Sequence, residues 1–240
     1  MKAPIPDEYD GYPVVTPRLM AEIDKKAIDE YGISALDLME IAGRGVAEGV
    51  VEFLAERGEK IEGSLVTVCC GRGKNGGDGL IAARHLKTKG AEVIVFIMPP
   101  KRQTKYGKEV DDNLIKANAS GVSVHEVSEE LIELDVRLRS SVVIIDALLG
   151  TGASGKPAGF VHRMIQRMMK AGKPVIAVDI PSGINGETGH HSGVFITADR
   201  TFVLGLPKRG LLAPHALKNV GDLRVVELGF PKDLINRMCA

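Results

Sequence analysis

Val66-Thr67-Val68-Cys69-Cys70-Gly71-Arg72-Gly73-Lys74-Asn75-Gly76-Gly77-Asp78-Gly79-Leu80 is the stretch that decides the fold. A β-branched, apolar run ends in a glycine-dense loop. The loop feeds a helical pattern with Ile81, Ala82, Ala83 and Leu86 on one side and Arg84 and Lys87 on the other. This is a strand, tight loop, helix unit. Five glycines within residues 71–79 leave backbone N–H groups uncovered, so the chain can fold round an oxyanion at the positive end of the following helix. Phosphate is the natural guest. The alternative is a turn whose glycines only let helix and strand pack closely. Asn75 and Asp78 argue against it, because a purely steric turn needs neither an amide nor a carboxylate. The segment is not a nucleoside-triphosphate P-loop either, since Lys74 is followed by Asn75 rather than Ser or Thr and the glycine spacing differs.

Downstream of this unit, apolar runs alternate with amphipathic stretches. The runs cover residues 65–70, 93–98, 122–125, 142–149, 175–179, 201–206 and 223–228, and most are unbroken and rich in Val and Ile. Strands buried on both faces have that composition. Helical patterns lie near 77–89, 105–119, 128–138 and 159–171. Their alternation predicts an α/β fold, a mostly parallel sheet covered by helices on both faces, with the last two runs finishing it at one edge. Upstream, residues 1–15 read as an extended lead-in. Thr16 and Pro17 offer an N-cap and a first helical residue for a helix that Gly32 stops. A second helix starts near Ser34 with a wide apolar face that includes Gly43 and Gly45. Mid-helix glycines cost roughly 1 kcal/mol each relative to Ala, so something must approach closely: another backbone or a second subunit. The pattern implies one domain over 1–240, with helices in 17–60 packing on a core at 64–230.

Composition excludes several classes. Lys and Arg total 31 and so do Asp and Glu, so the electrostatic excess on which nucleic-acid binders rely is missing from the total. Three cysteines, two of them adjacent at the end of a buried run, fit neither a disulfide framework nor zinc spacing and point to a reducing compartment. The N-terminus lacks a signal-peptide core, and no apolar run is long enough to span a bilayer. A cytoplasmic protein without nucleic-acid or membrane partners is expected.

In a parallel sheet the strand-to-helix loops emerge at the carboxyl edge, where ligands bind. Three such loops carry unusual chemistry. The first is 71–79. The second runs from Asp146 through Gly150, Thr151, Gly152, Ala153, Ser154 and Gly155 to Lys156. The third runs from Asp179 through Pro181, Ser182 and Gly183 to Gly189. Gly150, Gly152 and Gly155 satisfy the dinucleotide spacing G-x-G-x-x-G, but on a late strand and with Pro157 where the helix would continue. The firmer content is a second phosphate-sized nest with Lys156 as a point charge. Asp146 and Asp179 each end an apolar strand, where an unpaired carboxylate costs several kcal/mol to bury. Each must cap a helix or meet a cation, N–H groups or substrate. Asn75, Asp146 and Ser182 supply only oxygen, which suits a hard cation better than zinc. The six histidines have no ligand spacing. His190 and His191 read as a solvated turn near the rim.

These residues carry a resemblance. Gly73–Gly79, Asp146 to Gly152, Val178 to Gly183 and Pro207-Lys208-Arg209-Gly210 occur in the order seen in the NAD(P)H-hydrate epimerases, the YjeF N-terminal domain family. Leu38-Met39-Glu40 and Ala42-Gly43-Arg44 are similar to that family's N-terminal signature, and the resemblance covers about residues 17–230. It implies a Rossmann-like, three-layer α/β/α domain that binds a hydrated nicotinamide dinucleotide and interconverts its R and S forms. It implies ligand contacts on Lys74, Asn75, Gly76, Gly77 and Asp78, on Gly150, Thr151, Gly152, Ala153, Ser154, Gly155 and Lys156, and at Asp179. It also implies one potassium ion per subunit on Asn75, Asp146 and Ser182. Lys74 and Ile41 depart from the family, which commonly has asparagine at both places. No segment resembles the dehydratase domain to which this family is often fused, so a dehydratase on a separate chain is the implied partner.

Inverting a hemiaminal carbon needs general acid–base help and no redox change. Asp179, ending a strand at the centre of the loops, is the candidate catalytic residue. The glycines and wide apolar face of the second helix suggest a homodimer. Two alternatives come from other classes: a non-catalytic nucleotide-sensing or protein-binding module on the same fold, and an NAD(P)-dependent oxidoreductase, for which no hydride-transfer acid is apparent.

Overall fold

The computed structural model describes residues 4–100, 105–153, 155–191 and 193–239. Seven strands form one sheet: β3 (Leu65–Cys70), β4 (Glu92–Ile97), β5 (Ser123–Glu126), β6 (Val143–Ala147), β7 (Val175–Val178), β8 (Arg200–Leu204) and β9 (Asp222–Val226). Their order is β5-β4-β3-β6-β7-β8-β9 and every neighbouring pair is parallel. The chain steps outward from β3 to β5, crosses back to β6 beside β3, and continues to the far edge at β9. The loops after β3 and β6 therefore diverge at the switch point, where a sheet of this kind opens a crevice.

Alternate strand residues face opposite layers. Val66, Val68, Cys70, Val95 and Ile145 pack under α2 (Ala35–Glu56), α3 (Lys74–Thr88) and α4 (Lys108–Ala119). Cys69, Phe96, Ile144 and Ala177 pack against α5 (Ile132–Ser140) and α6 (Gly159–Lys170). The result is the three-layer α/β/α architecture. Outside it, α1 (Pro17–Tyr31) is capped by Thr16, which accepts the Leu19 N–H at 3.0 Å, and ends at Gly32 in the left-handed conformation. Leu234 of α7 (Lys232–Cys239) joins Met20, Ile23 and Ala27 of α1 in one cluster. The lead-in is not uniformly extended: β1 (Glu8–Tyr9) and β2 (Tyr12–Pro13) form an antiparallel hairpin. Strands of two residues are too short to show a period.

Two elements differ from the sequence reading in a way that bears on the site. α3 begins at Lys74, so Asn75 to Gly79 are helical rather than loop. Its glycines are packing positions: a Cβ on Gly76 would lie 1.9 Å from the Gly71 carbonyl oxygen, one on Gly77 2.2 Å from Met39 Cε, and one on Gly79 2.6 Å from Ala147 Cβ. Close packing thus applies to these glycines, and it presses the face carrying Asn75 and Asp78 into the sheet end. The α2 glycines are also filled from within the chain. A Cβ on Gly43 would lie 2.5 Å from Ile81 Cβ, one on Gly45 2.5 Å from Val226 Cγ1, and one on Gly49 2.2 Å from Phe202 Cζ. The close approach is intramolecular, and it removes the glycines as a reason for a second subunit.

Candidate functional site

Asp179 follows β7 directly and takes a left-handed φ of 68°, a conformation Asp tolerates better than most residues but which still stores strain. Its carboxylate is tied down on both oxygens. Oδ1 accepts the Lys208 ammonium at 2.7 Å and Oδ2 accepts the Thr151 N–H at 3.0 Å. Lys208 is itself only 1% exposed, and its ammonium also donates to the Leu204 carbonyl at 2.6 Å.

Next to this pair, Asp146, the penultimate residue of β6, is fully buried. Oδ1 accepts the Ser182 hydroxyl at 2.6 Å and the Leu148 N–H at 3.2 Å, and Oδ2 accepts the Ser182 N–H at 2.7 Å. The hydroxyl oxygen in turn accepts the Leu149 N–H at 3.0 Å. Burial pushes the Asp146 carboxyl up to about 6, against the pull of the Ser182 and Leu148 hydrogen bonds. Asn75 lies beside the following residue: a Cβ on Gly150 would sit 3.2 Å from Asn75 Cγ and 3.2 Å from Asp179 Oδ2. Both side-chain polar atoms of Asn75 are buried without a protein partner, a costly arrangement that asks for a ligand. The sequence-predicted trio therefore gathers round consecutive residues of one loop. Among the described residues no three His, Cys, Asp or Glu side chains could hold a metal, so a cation here would be held by one carboxylate and neutral oxygens.

Asp78 sits on the buried face of α3. Burial raises its carboxyl well above the usual range, and the charges of Asp179 and Asp24 raise it further, with Lys74 and Lys208 opposing. Burial therefore favours the neutral form of this carboxyl over its charged form. Asp24, on α1, is half-buried and also raised, by burial first, with Lys208 lowering it and Asp179 raising it. Neither Asp24 nor the role of Lys208 follows from the sequence pattern. Asp24 sits four residues after Met20, on the inner face of a helix whose pattern speaks only of packing, and a carboxylate between Ile23 and Ala27 on that face is the available signal.

The second loop divides in two. Gly150 and Thr151 belong to the cluster, whereas Gly152, Ala153, Gly155 and Lys156 are exposed and α6 begins only at Gly159. Ser154 lies outside the described residues. The Lys156 stem runs over Gly193, whose Cβ would be 2.6 Å from Lys156 Cε. Lys74, exposed at the start of α3, and the unpaired N–H groups of that helix's first turn face the same edge. His190 and His191 are exposed; His190 stacks on His215, and His191 packs on Phe195 with its ring tilted. A cleft of about 670 Å³ between α6 and residues 193–195 contains none of the clustered charges; buried charge, rather than volume, marks the site.

Residues 35–210 match the family described as YjeF-related protein N-terminus. An NAD(P)H-hydrate epimerase of Elusimicrobium minutum is 36% identical over 93% of this chain and 99% of its own length. A bifunctional NAD(P)H-hydrate repair enzyme of Thermofilum pendens is 39% identical over 89% of this chain, which spans 39% of that longer protein. Among solved structures, yeast YNL200c superposes with a TM-score of 0.82 at 28% identity, over 94% of this chain and 93% of that one. With the four motifs drawn together at one sheet edge and these relatives matched along nearly the whole length, the chain belongs to the YjeF-related N-terminal family, that of the NAD(P)H-hydrate epimerases.

Proposed function

We infer that this chain is an isomerase that interconverts the R and S forms of hydrated NADH or NADPH, the activity its relatives' names carry. The observation that supports this best is the presence of two carboxyls in contrasting surroundings at the loop edge of the sheet. Asp179 is held 2.7 Å from the Lys208 ammonium, and burial raises the Asp78 carboxyl and so favours its protonated form. A carboxylate fixed by an ammonium is placed to accept a proton, and a buried carboxyl to supply one. The hydrated carbon carries a hydroxyl and the ring nitrogen. Whether the C–N bond opens and recloses or water leaves and returns, one group must accept a proton while another supplies one. Asp179 is the acceptor and Asp78 the donor; the reverse step returns both protons, so no cofactor is consumed. Lys74, Lys156 and the first turn of α3 bind the phosphates.

The unpartnered Asn75, the buried Asp146 and the Ser182 hydroxyl fit a hard monovalent cation, and potassium would be held there by their oxygens. It would supply a fixed positive charge that offsets carboxylate and phosphates. Among the described residues no helix is long and apolar enough to cross a membrane. That and the free cysteines Cys69, Cys70 and Cys239 support a cytoplasmic site of action, and the bifunctional relatives support a separate dehydratase as the working partner. The test is Asp179→Asn: hydrate binding by calorimetry should persist while epimerisation slows by about 100-fold or more. Unchanged turnover above the spontaneous background would defeat the assignment.

A further inference from the structure

We propose that Lys208 is a positioning residue for Asp179, seated for that purpose by the segment that precedes α1. This rests on the epimerase reading above. Lys208 heads the largest fully buried side chains. Burying an ammonium costs several kcal/mol unless it is paired and hydrogen-bonded, and here the pairing goes to the proposed base, at 2.7 Å, with the Leu204 carbonyl at 2.6 Å taking a second N–H. Asp179 has a left-handed backbone and only the Thr151 N–H on its other oxygen. Lys208 is thus the only side chain among the described residues that fixes its carboxylate.

The seat of Lys208 is built from both ends of the chain. Val15 donates to the Pro207 carbonyl at 2.9 Å and accepts the Arg209 N–H at 2.9 Å, bracketing Lys208 in a parallel bridge. Beside it, a Cβ on Gly186 would lie 3.2 Å from Pro17 Cγ, 3.6 Å from Thr151 Cγ2 and 3.9 Å from Lys208 Cβ. The N-terminal segment, the second loop and the third loop therefore meet at the root of this lysine. A purely structural ion pair would affect folding and leave turnover per folded molecule intact. A positioning residue affects kcat, because a misplacement of about 1 Å at the reacting group can cost ~100-fold.

The experiment compares Lys208→Met, Asp179→Asn and the double variant of the full chain by kcat and KM per folded molecule, with folding followed by near-UV circular dichroism. Lys208→Met should lower kcat by about 10- to 100-fold with KM little changed, and the double variant should be no slower than Asp179→Asn alone. Wild-type kcat in Lys208→Met, or a double variant slowed by the product of the two single effects, would overturn the proposal. If Lys208→Met does not fold, Val15→Pro removes one strut of the seat and leaves the charge in place. It should lower kcat in the same sense, and wild-type kcat there would also overturn the role. A fast Asp179→Asn sinks the epimerase base itself; a slow Asp179→Asn beside a fast Lys208→Met sinks only the role of Lys208.

Discussion

Asn75 presents two buried polar atoms with no partner, and Asp146 beside it is a buried carboxyl pushed up to about 6. A monovalent cation would relieve both. Bound only by the folded state, it adds stability by mass action, about 2.7 kcal/mol at 100 times its dissociation constant. For a chain of this size that is about 5–10 °C in Tm. Exchanging choline chloride for potassium chloride at equal ionic strength should therefore raise Tm, and Asp146→Asn should abolish the response. Equal Tm values in the two salts would refute the cation site. At this scale the sequence is most legible where a polar residue ends an apolar strand, as at Asp146 and Asp179, because burial there forces a partner. Lys208 and Asp24 are opaque because neither stands at such a place. Lys208 lies four residues beyond its strand, and Asp24 lies on a helix, and only the folded chain shows that either meets the site.

Among the elements, α2 is legible from its Ser34 cap, which accepts the Asp37 N–H at 3.0 Å, but its glycines leave open what approaches. The answer is α3, β8 and β9. Gly43→Ala tests it. The added methyl would lie 2.5 Å from Ile81 Cβ and 2.8 Å from the Asp78 carbonyl oxygen. Helix propensity favours Ala by about 1 kcal/mol, whereas overpacking costs about 1–3 kcal/mol, and a backbone carbonyl gives way less readily than a side chain. A net loss of about 1 kcal/mol in urea unfolding is expected, together with a drop in turnover, because α3 would carry Asp78 with it. A Gly43→Ala variant as stable as wild type would mean that α2 and α3 are free to separate. The sequence pattern starts α3 too late because glycine is a poor helix former, and the contacts that offset its cost lie on Gly71, Met39 and Ala147, invisible to local pattern.

For the molecule as a whole, the seven-stranded parallel sheet is legible because its central strands are buried on both faces and read as unbroken apolar runs, whereas the edge strands β5 and β9 carry exposed polar residues. Where the run overshoots, at Leu148 and Leu228, the residues leave the sheet but stay in the core. The balance of charge is less legible. Total charge is zero, yet the buried Asp78 and Asp146 and the half-buried Asp24 all have raised carboxyls. A raised carboxyl binds more protons folded than unfolded, so its contribution is complete below the unfolded value near 4 and is lost as pH rises through the folded value. For Asp146, raised from 3.8 to about 6, that loss is about 3 kcal/mol. Glu40 opposes this trend: its carboxyl is held low by Arg84 and His85 in spite of burial, but such half-exposed pairs contribute less than about 1 kcal/mol. In potassium-free buffer the urea midpoint should therefore be higher at pH 5 than at pH 8, contrary to ordinary acid denaturation. Asp78→Asn should flatten that slope by making the position neutral at both pH values, raising the midpoint at pH 8 relative to pH 5. A wild-type midpoint that rises from pH 5 to pH 8 would refute the raised carboxyls as the controlling charge, and an Asp78→Asn variant with an unchanged slope would show that Asp78 is ionised in the folded protein and could not act as the proton donor.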